Sequence, residues 1–197
     1  MVNDREFYNE IYTENPQKWE SVLRDIIAFG TTSKYASSPK MMLDIGCGNG
    51  HTIGYFADRW VDTEYVGIDL SDVAIAVARM RVPKATFTRS SLEDWYLGWK
   101  DVDVIIVMGV AEHFEDLSGS LAILKSLGAI VYLEVPNCLF MSGSDKEGFR
   151  KTKDGADQKE WHLRRETWES HLVEADFEIV ESVTGPLRTY EFIWVIK

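Results

Sequence analysis

From residue 40 onward, short apolar runs alternate with amphipathic stretches. Met41 to Ile45, Glu64 to Ile68, Ala85 to Thr88, Val102 to Met108 and Ala129 to Val135 form the apolar series. Val102 to Met108 (VDVIIVM) is rich in β-branched residues and nearly uncharged. Near-continuous apolar strands of this kind are buried on both faces, as in parallel sheets. The intervening stretches carry helix patterns: Asn49 to Arg59, Asp72 to Met80 with Ser71 as N-cap, and Asp116 to Ser126 before a Leu127–Gly128 stop. Strand, helix, strand, helix predicts a doubly wound α/β, Rossmann-like sheet with right-handed crossovers. Arg165 to Glu174 is a further helix ending at Ala175–Asp176. Phe177 to Val183 and Thr189 to Ile196 then close the sheet, joined through Gly185–Pro186 as an antiparallel pair. The expected fold class is therefore a seven-stranded, mostly parallel sheet with an antiparallel last strand.

Two segments depart from that rhythm. Residues 3–29 read as one or two helices, broken near Asn15–Pro16, with Phe7, Tyr8, Tyr12 and Trp19 interleaved. Residues 138–160 are polar and Gly-rich and read as a lid or flexible loop. The expected organisation is one domain over 1–197, with residues 1–30 as a helical cover.

Composition narrows the function classes. Apolar residues make up 45% and charged residues 27%, as in ordinary globular chains. No run of eighteen apolar residues is present and the polar N-terminus is unlike a secretory signal, so no membrane association and a cytoplasmic location are expected. A net charge of −11 repels phosphate backbones and argues against nucleic acid as a partner. The two cysteines, Cys47 and Cys138, are too few for a disulfide framework or a four-thiolate metal site. Oligomeric state is not legible.

The sharpest chemical signal is Met42-Leu-Asp-Ile-Gly-Cys-Gly-Asn-Gly50, a strand running straight into Gly46, Gly48 and Gly50. Glycines there permit a sharp turn and a close backbone approach to a ligand at the carboxyl ends of the strands. The spacing is G-x-G-x-G, not the dinucleotide G-x-G-x-x-G. Asp44, two positions before the first glycine, would repel a pyrophosphate and suits a cofactor carrying ammonium and sulfonium charges. Asp69, at the end of Tyr65-Val-Gly-Ile-Asp69, is placed to take both ribose hydroxyls. Nicotinamide enzymes use the same carboxylate, so Asp69 alone leaves an NAD-dependent oxidoreductase open.

With those motifs in register, the sequence resembles the class I S-adenosylmethionine-dependent methyltransferases over roughly residues 40–183. Asp44 to Gly50 is similar to the family's first motif and Gly67-Ile-Asp69 to its second. Ser90-Ser-Leu-Glu-Asp94 falls where the family contacts adenine. Val107-Met-Gly-Val-Ala-Glu-His113 and the Pro136–Asn137 exit resemble the ubiquinone/menaquinone-type subgroup. The resemblance implies S-adenosyl-L-methionine as cofactor, S-adenosyl-L-homocysteine as product and a small-molecule acceptor methylated on oxygen or nitrogen. It further implies cofactor contacts from Asp44, Gly46, Cys47 through its backbone, Gly48, Asp69, Leu70, Ser91, the Leu92 N–H, Met108 and Gly109. Ser91 stands where the family often has an acid. Gly109 stands where the subgroup has an additional acid, so no metal is expected.

Two histidines are the candidate catalytic residues. His113 is a general base at the mouth of the sheet or, with Glu112, a cap on the following turn. His162 faces the acceptor or is a structural hydrogen-bonding residue. A rival reading of the whole chain is a non-catalytic cofactor- or partner-binding module on the same fold.

Overall fold

A computed structural model describes residues 5–18, 20–96, 101–151, 159–183 and 191–197. Two helices come first, α1 (Arg5–Glu14) and α2 (Val22–Thr32), separated at Asn15–Pro16 as the pattern predicts. Then follow β1 (Met41–Ile45), α3 (His51–Ala57), β2 (Glu64–Asp69), α4 (Asp72–Arg81), β3 (Thr86–Arg89), α5 (Leu92–Trp95) and β4 (Val104–Met108). A 3-10 turn (Ala111–His113), α6 (Leu117–Ser126), β5 (Ile130–Pro136) and α7 (Cys138–Ser142) come next. The chain ends with β6 (Gly148–Lys151), β7 (Lys159–His162), α8 (Arg165–Glu174), β8 (Ile179–Val183) and β9 (Glu191–Ile196).

Seven strands form one sheet in the order β3-β2-β1-β4-β5-β9-β8. β1 to β5 pair in parallel, whereas β9 is antiparallel to both β5 and β8. The expected sheet is therefore present. The Gly185–Pro186 turn and Trp19 lie outside the described residues.

Alternation along the strands builds two cores. On β4, Ile105 and Val107 face Leu117, Leu121 and Trp168 of α6 and α8. Val104 and Ile106 face the other way, toward Ala28, Ile53, Phe56 and Ile75 of α2, α3 and α4. Each fully buried aliphatic side chain contributes about 1.5–3 kcal/mol, so this central strand anchors both layers. Between β1 and α3, Gly46 and Gly48 have φ of +68° and +51°, a region open to glycine at little cost. Gly50, also left-handed, caps α3, so the helix begins at His51, two residues later than the pattern suggests.

The segment 138–160 differs from the expected loop. It contains α7 and, with its last residues, a two-stranded antiparallel ribbon in which Phe149 pairs with Trp161. Their rings lie 5.0 Å apart. The strands are short and mostly charged, so their period is invisible in sequence and the aromatic pair sets the register. Residues 152–158 lie outside the described residues.

Candidate active site

The carboxyl ends of β1, β2 and β4 meet at the glycine turn. The Cys47 N–H donates to the Ile68 carbonyl, tying the turn to β2. The Gly48 N–H donates to Asp69 Oδ2 at 2.9 Å, and the Ser71 N–H to Asp69 Oδ1 at 2.8 Å. Burial pushes the Asp69 carboxyl up, and the N–H groups of Ser71, Gly48 and Leu70 counter that. A Cβ on Gly46 would lie 2.3 Å from Val110 Cγ2, and one on Gly48 would lie 2.3 Å from the Tyr12 hydroxyl. The turn is thus a cradle that only glycine leaves open.

Asp44 stands behind the cradle, almost fully buried, and its Oδ2 has no hydrogen-bond partner. Burial raises its carboxyl well above the ordinary range, and neighbouring Asp25 and Asp69 add to the effect. A buried carboxyl oxygen without a partner costs about 1–3 kcal/mol or more. Such a penalty persists where a ligand supplies the missing donor.

A cavity of ≈ 70 Å³ opens on this turn, walled by Asp44, Gly46, Cys47, Gly48 and Met108 from the expected set. The remaining wall comes from the N-terminal segment and the start of α3: Tyr12, Glu20, Ser21, Arg24, Asp25, Asn49, His51 and Thr52. Of these, Tyr12 was an expected cover residue. Arg24 and Asp25 were not among the expected residues. Asp69, Leu70, Ser91, Leu92, Gly109, His113 and His162 are not among the cavity's walls.

Those seven lie elsewhere in the structure. Leu70 lies in the turn between Asp69 and the α4 cap Ser71. Ser91 caps α5, its hydroxyl oxygen accepting the Asp94 N–H at 3.1 Å, and Leu92 is the first residue of that helix. Gly109 has φ +67° and donates its N–H to the Glu134 carbonyl. The position of its absent Cβ lies 3.2 Å from Arg24 Nη2 and 3.7 Å from Glu112 Oε1.

The two histidines lie in a second cluster, covered by the β6–β7 ribbon. His113 Nδ1 is 3.1 Å from the Lys159 carbonyl, and its Nε2 is 3.7 Å from Glu112 Oε1. A carbonyl only accepts, so Nδ1 carries the hydrogen and Nε2 the lone pair. Burial holds His113 below the usual imidazole range, with the Lys159 bond and Glu160 opposing. His162 is 2% exposed, with Nε2 3.2 Å from Glu160 Oε1 and neither ring nitrogen in a hydrogen bond. Burial lowers it too, and Arg150 adds to that. Glu112 is fully enclosed, its Oε2 has no partner, and burial lifts its carboxyl to about 8.

Among the described residues no helix is long and apolar enough to cross a membrane.

Residues 42–127 match the family described as a methyltransferase domain. A trans-aconitate 2-methyltransferase from Acidovorax sp. (strain JS42) is 33% identical over 58 residues, 29% of this chain and 22% of that protein. The match thus spans less than a quarter of the curated relative's length. The fold is similar to that of a Burkholderia thailandensis 1,6-didemethyltoxoflavin-N1-methyltransferase bound to 1,6-didemethyltoxoflavin and S-adenosylhomocysteine. The TM-score is 0.76 at 16% identity, over 98% of this chain and 85% of that one. A Clostridium acetobutylicum S-adenosylmethionine-dependent methyltransferase gives 0.72 at 12% identity, over 98% of both chains. The glycine cradle thus lies within a region that matches a methyltransferase domain, on a sheet whose fold is that of S-adenosylmethionine-dependent methyltransferases of known structure.

Proposed function

We propose that this protein transfers the methyl group of S-adenosylmethionine to an oxygen or nitrogen of a small molecule, leaving S-adenosylhomocysteine. The observation that carries this reading is the orphaned, buried Asp44 oxygen behind a glycine cradle fixed to Asp69. That pairing suits a cationic nucleoside and disfavours a diphosphate. The relatives, a trans-aconitate 2-methyltransferase and a 1,6-didemethyltoxoflavin-N1-methyltransferase, support a small-molecule acceptor.

The cofactor supplies an activated methyl group on a sulfonium. Asp69, already aligned by two N–H donors, takes the ribose hydroxyls. Ser91 offers its hydroxyl hydrogen and Leu92 its N–H to adenine, while Leu70 closes over the ring from the β2–α4 turn. Gly46, Cys47 and Gly48 carry the methionine chain through their backbone. Carbonyls near Met108 and Gly109 serve its amino group.

The cavity in the structure, at ≈ 70 Å³, is smaller than a nucleoside. Tyr12 lines it and stands against Gly48, so α1 acts as a cover that swings aside for entry. Acceptor proton removal falls to His113, whose Nε2 lone pair is set by the Lys159 carbonyl. His162 is the second candidate. Both require the ribbon to lift, which admits the acceptor and then excludes water.

The test is a labelled methyl-transfer screen over phenols, catechols, amines and carboxylic acids with wild type, His113→Ala and His162→Ala. Loss of a general base lowers kcat by about 10²–10⁴-fold. His113→Ala is expected to fall in that range on a hydroxyl acceptor. Full rates in both variants would overturn the base assignment, and transfer to no acceptor would overturn the activity.

A further inference from the structure

Glu112 stands just beyond β4 and is 3% exposed. Its own N–H serves the carboxyl, and Oε2 has no hydrogen-bond partner. Oε1 lies 3.7 Å from His113 Nε2, too far for a direct hydrogen bond. The same oxygen lies 3.7 Å from where a Cβ on Gly109 would stand. The carboxyl therefore sits between the turn after β4 and the imidazole. Burial acts on the two groups in opposite senses. It lifts the carboxyl to about 8 and holds the imidazole below its usual range. Around neutral pH the acid keeps its proton and the base its lone pair. The charges that face Glu112 come from three elements. Glu160 of β7 and Glu134 of β5 favour its protonated form, and Arg24 of α2 opposes it. Arg24 is itself paired with Glu134 at 2.5 Å. The Cys138 thiol of α7, raised by burial, feels the Glu112 charge as well. His113 faces the Lys159 carbonyl and Glu160, which favour its protonated form.

We propose that Glu112 selects a hydroxyl oxygen as the methyl acceptor, donating its carboxyl O–H to that oxygen while His113 takes the oxygen's own hydrogen. This rests on the methyl-transfer reading above and narrows it from oxygen or nitrogen to a hydroxyl. An oxygen ~2.8 Å from each group spans a gap of this size. A hydroxyl has one hydrogen and two lone pairs. The hydrogen leaves as a proton to His113 Nε2. One lone pair accepts from Glu112. The other forms the bond to the methyl carbon, whose former bonding pair stays on sulfur. The Glu112 hydrogen bond also steadies the negative charge that develops on the oxygen. A neutral amine has a single lone pair, and once that pair accepts from Glu112 none is left for the methyl. A carboxylate brings no hydrogen for His113.

The probes are matched acceptors: phenol with aniline, catechol with 1,2-diaminobenzene, benzyl alcohol with benzylamine, and benzoate. Labelled methyl transfer is measured on the full chain. The hydroxyl member of at least one pair is expected to react tenfold or more faster than its amine and than benzoate. Glu112→Ala is expected to lose about 10²-fold, as for removal of an oxyanion donor. Glu112→Gln, whose amide also donates, is expected to recover at least tenfold of that loss. Wild-type kcat/KM is expected to fall above about pH 8, where the carboxyl ionises and stops donating. Glu112→Gln is expected to lack that fall. Infrared difference spectra of wild type against Glu112→Gln, without acceptor, are expected to show a protonated carboxyl at pH 6 that disappears above about pH 8. Glu112→Gln keeps the side chain's shape, so its pH profile decides the matter should Glu112→Ala fail to fold. An amine or benzoate methylated as fast as the hydroxyls, equal rates in the two variants, an alkaline fall unchanged in Glu112→Gln, or an ionised carboxyl at pH 6 would overturn the selection and leave methyl transfer intact. Transfer to no acceptor would remove the methyl-transfer reading and the selection with it.

Discussion

At the residue scale, the glycine cradle and the buried acids make the strongest claims. Gly46→Ala places a methyl 2.3 Å from Val110 Cγ2 in a left-handed backbone. It is expected to cost about 1–3 kcal/mol through strain and overpacking, read as a lower urea midpoint. Glu112 gives a pH signature. Its folded-state carboxyl titrates near 8, whereas an exposed glutamate titrates near 4.5. Between those values the unfolded chain binds fewer protons than the folded one, so stability falls as pH rises. The contribution is fully present below about pH 4.5 and gone above about pH 8. Glu112→Gln is therefore expected to melt above wild type at pH 8 and close to it at pH 5. A pH-independent difference in melting temperature would show that Glu112 is ionised in the folded protein.

At the element scale, the proposed function gives α1 and the β6–β7 ribbon the control of access. α1 is fastened to the cofactor side of the sheet. Asn9 Oδ1 accepts from the Ser71 hydroxyl at 2.7 Å and the Val73 N–H at 3.3 Å, and Arg5 pairs with Asp72. Tyr12 then closes on Gly48. Burial and the nearby Asp69 raise its phenol well above the ordinary range, so it closes as a neutral ring. Tyr12→Ala is expected to speed S-adenosylhomocysteine association several-fold in stopped-flow fluorescence, and an unchanged rate would show that α1 is not a gate. The sequence carried some of this and not the rest. β4 and β5 were legible because β-branched runs buried on both faces have no other use. The Gly46–Gly50 turn was legible because glycine spacing reports backbone geometry directly. Arg24 and Asp25 were not, since nothing local tells a polar helix position facing a cavity from one facing water. The ribbon was hidden for a related reason: Gly148–Lys151 and Lys159–His162 have too few apolar positions to show a two-residue period, and their pairing is long-range. Ser91 was read for its hydroxyl, while its first use is as the α5 cap.

At the scale of the whole molecule, charge and topology point the same way. A chain of net charge −11 whose cavity is walled by Glu20, Asp25 and Asp44 attracts cations to the carboxyl edge of its sheet. S-adenosylmethionine, one charge more positive than S-adenosylhomocysteine, is expected to bind more tightly at low salt. Raising ionic strength narrows that gap, because the Debye length shrinks from ~30 Å at 0.01 M to ~10 Å at 0.1 M. A gap independent of salt would confine the discrimination to contacts inside the cavity.

The central claim is that the loop after β1 holds a thioether nucleoside and that Asp69 holds its sugar. Titration calorimetry with S-adenosylhomocysteine and NAD, on wild type and Asp69→Ala, tests it most directly. The account predicts one site for S-adenosylhomocysteine, weakened tenfold or more by Asp69→Ala, and no heat from NAD. Saturable binding of NAD with none of S-adenosylhomocysteine would contradict it.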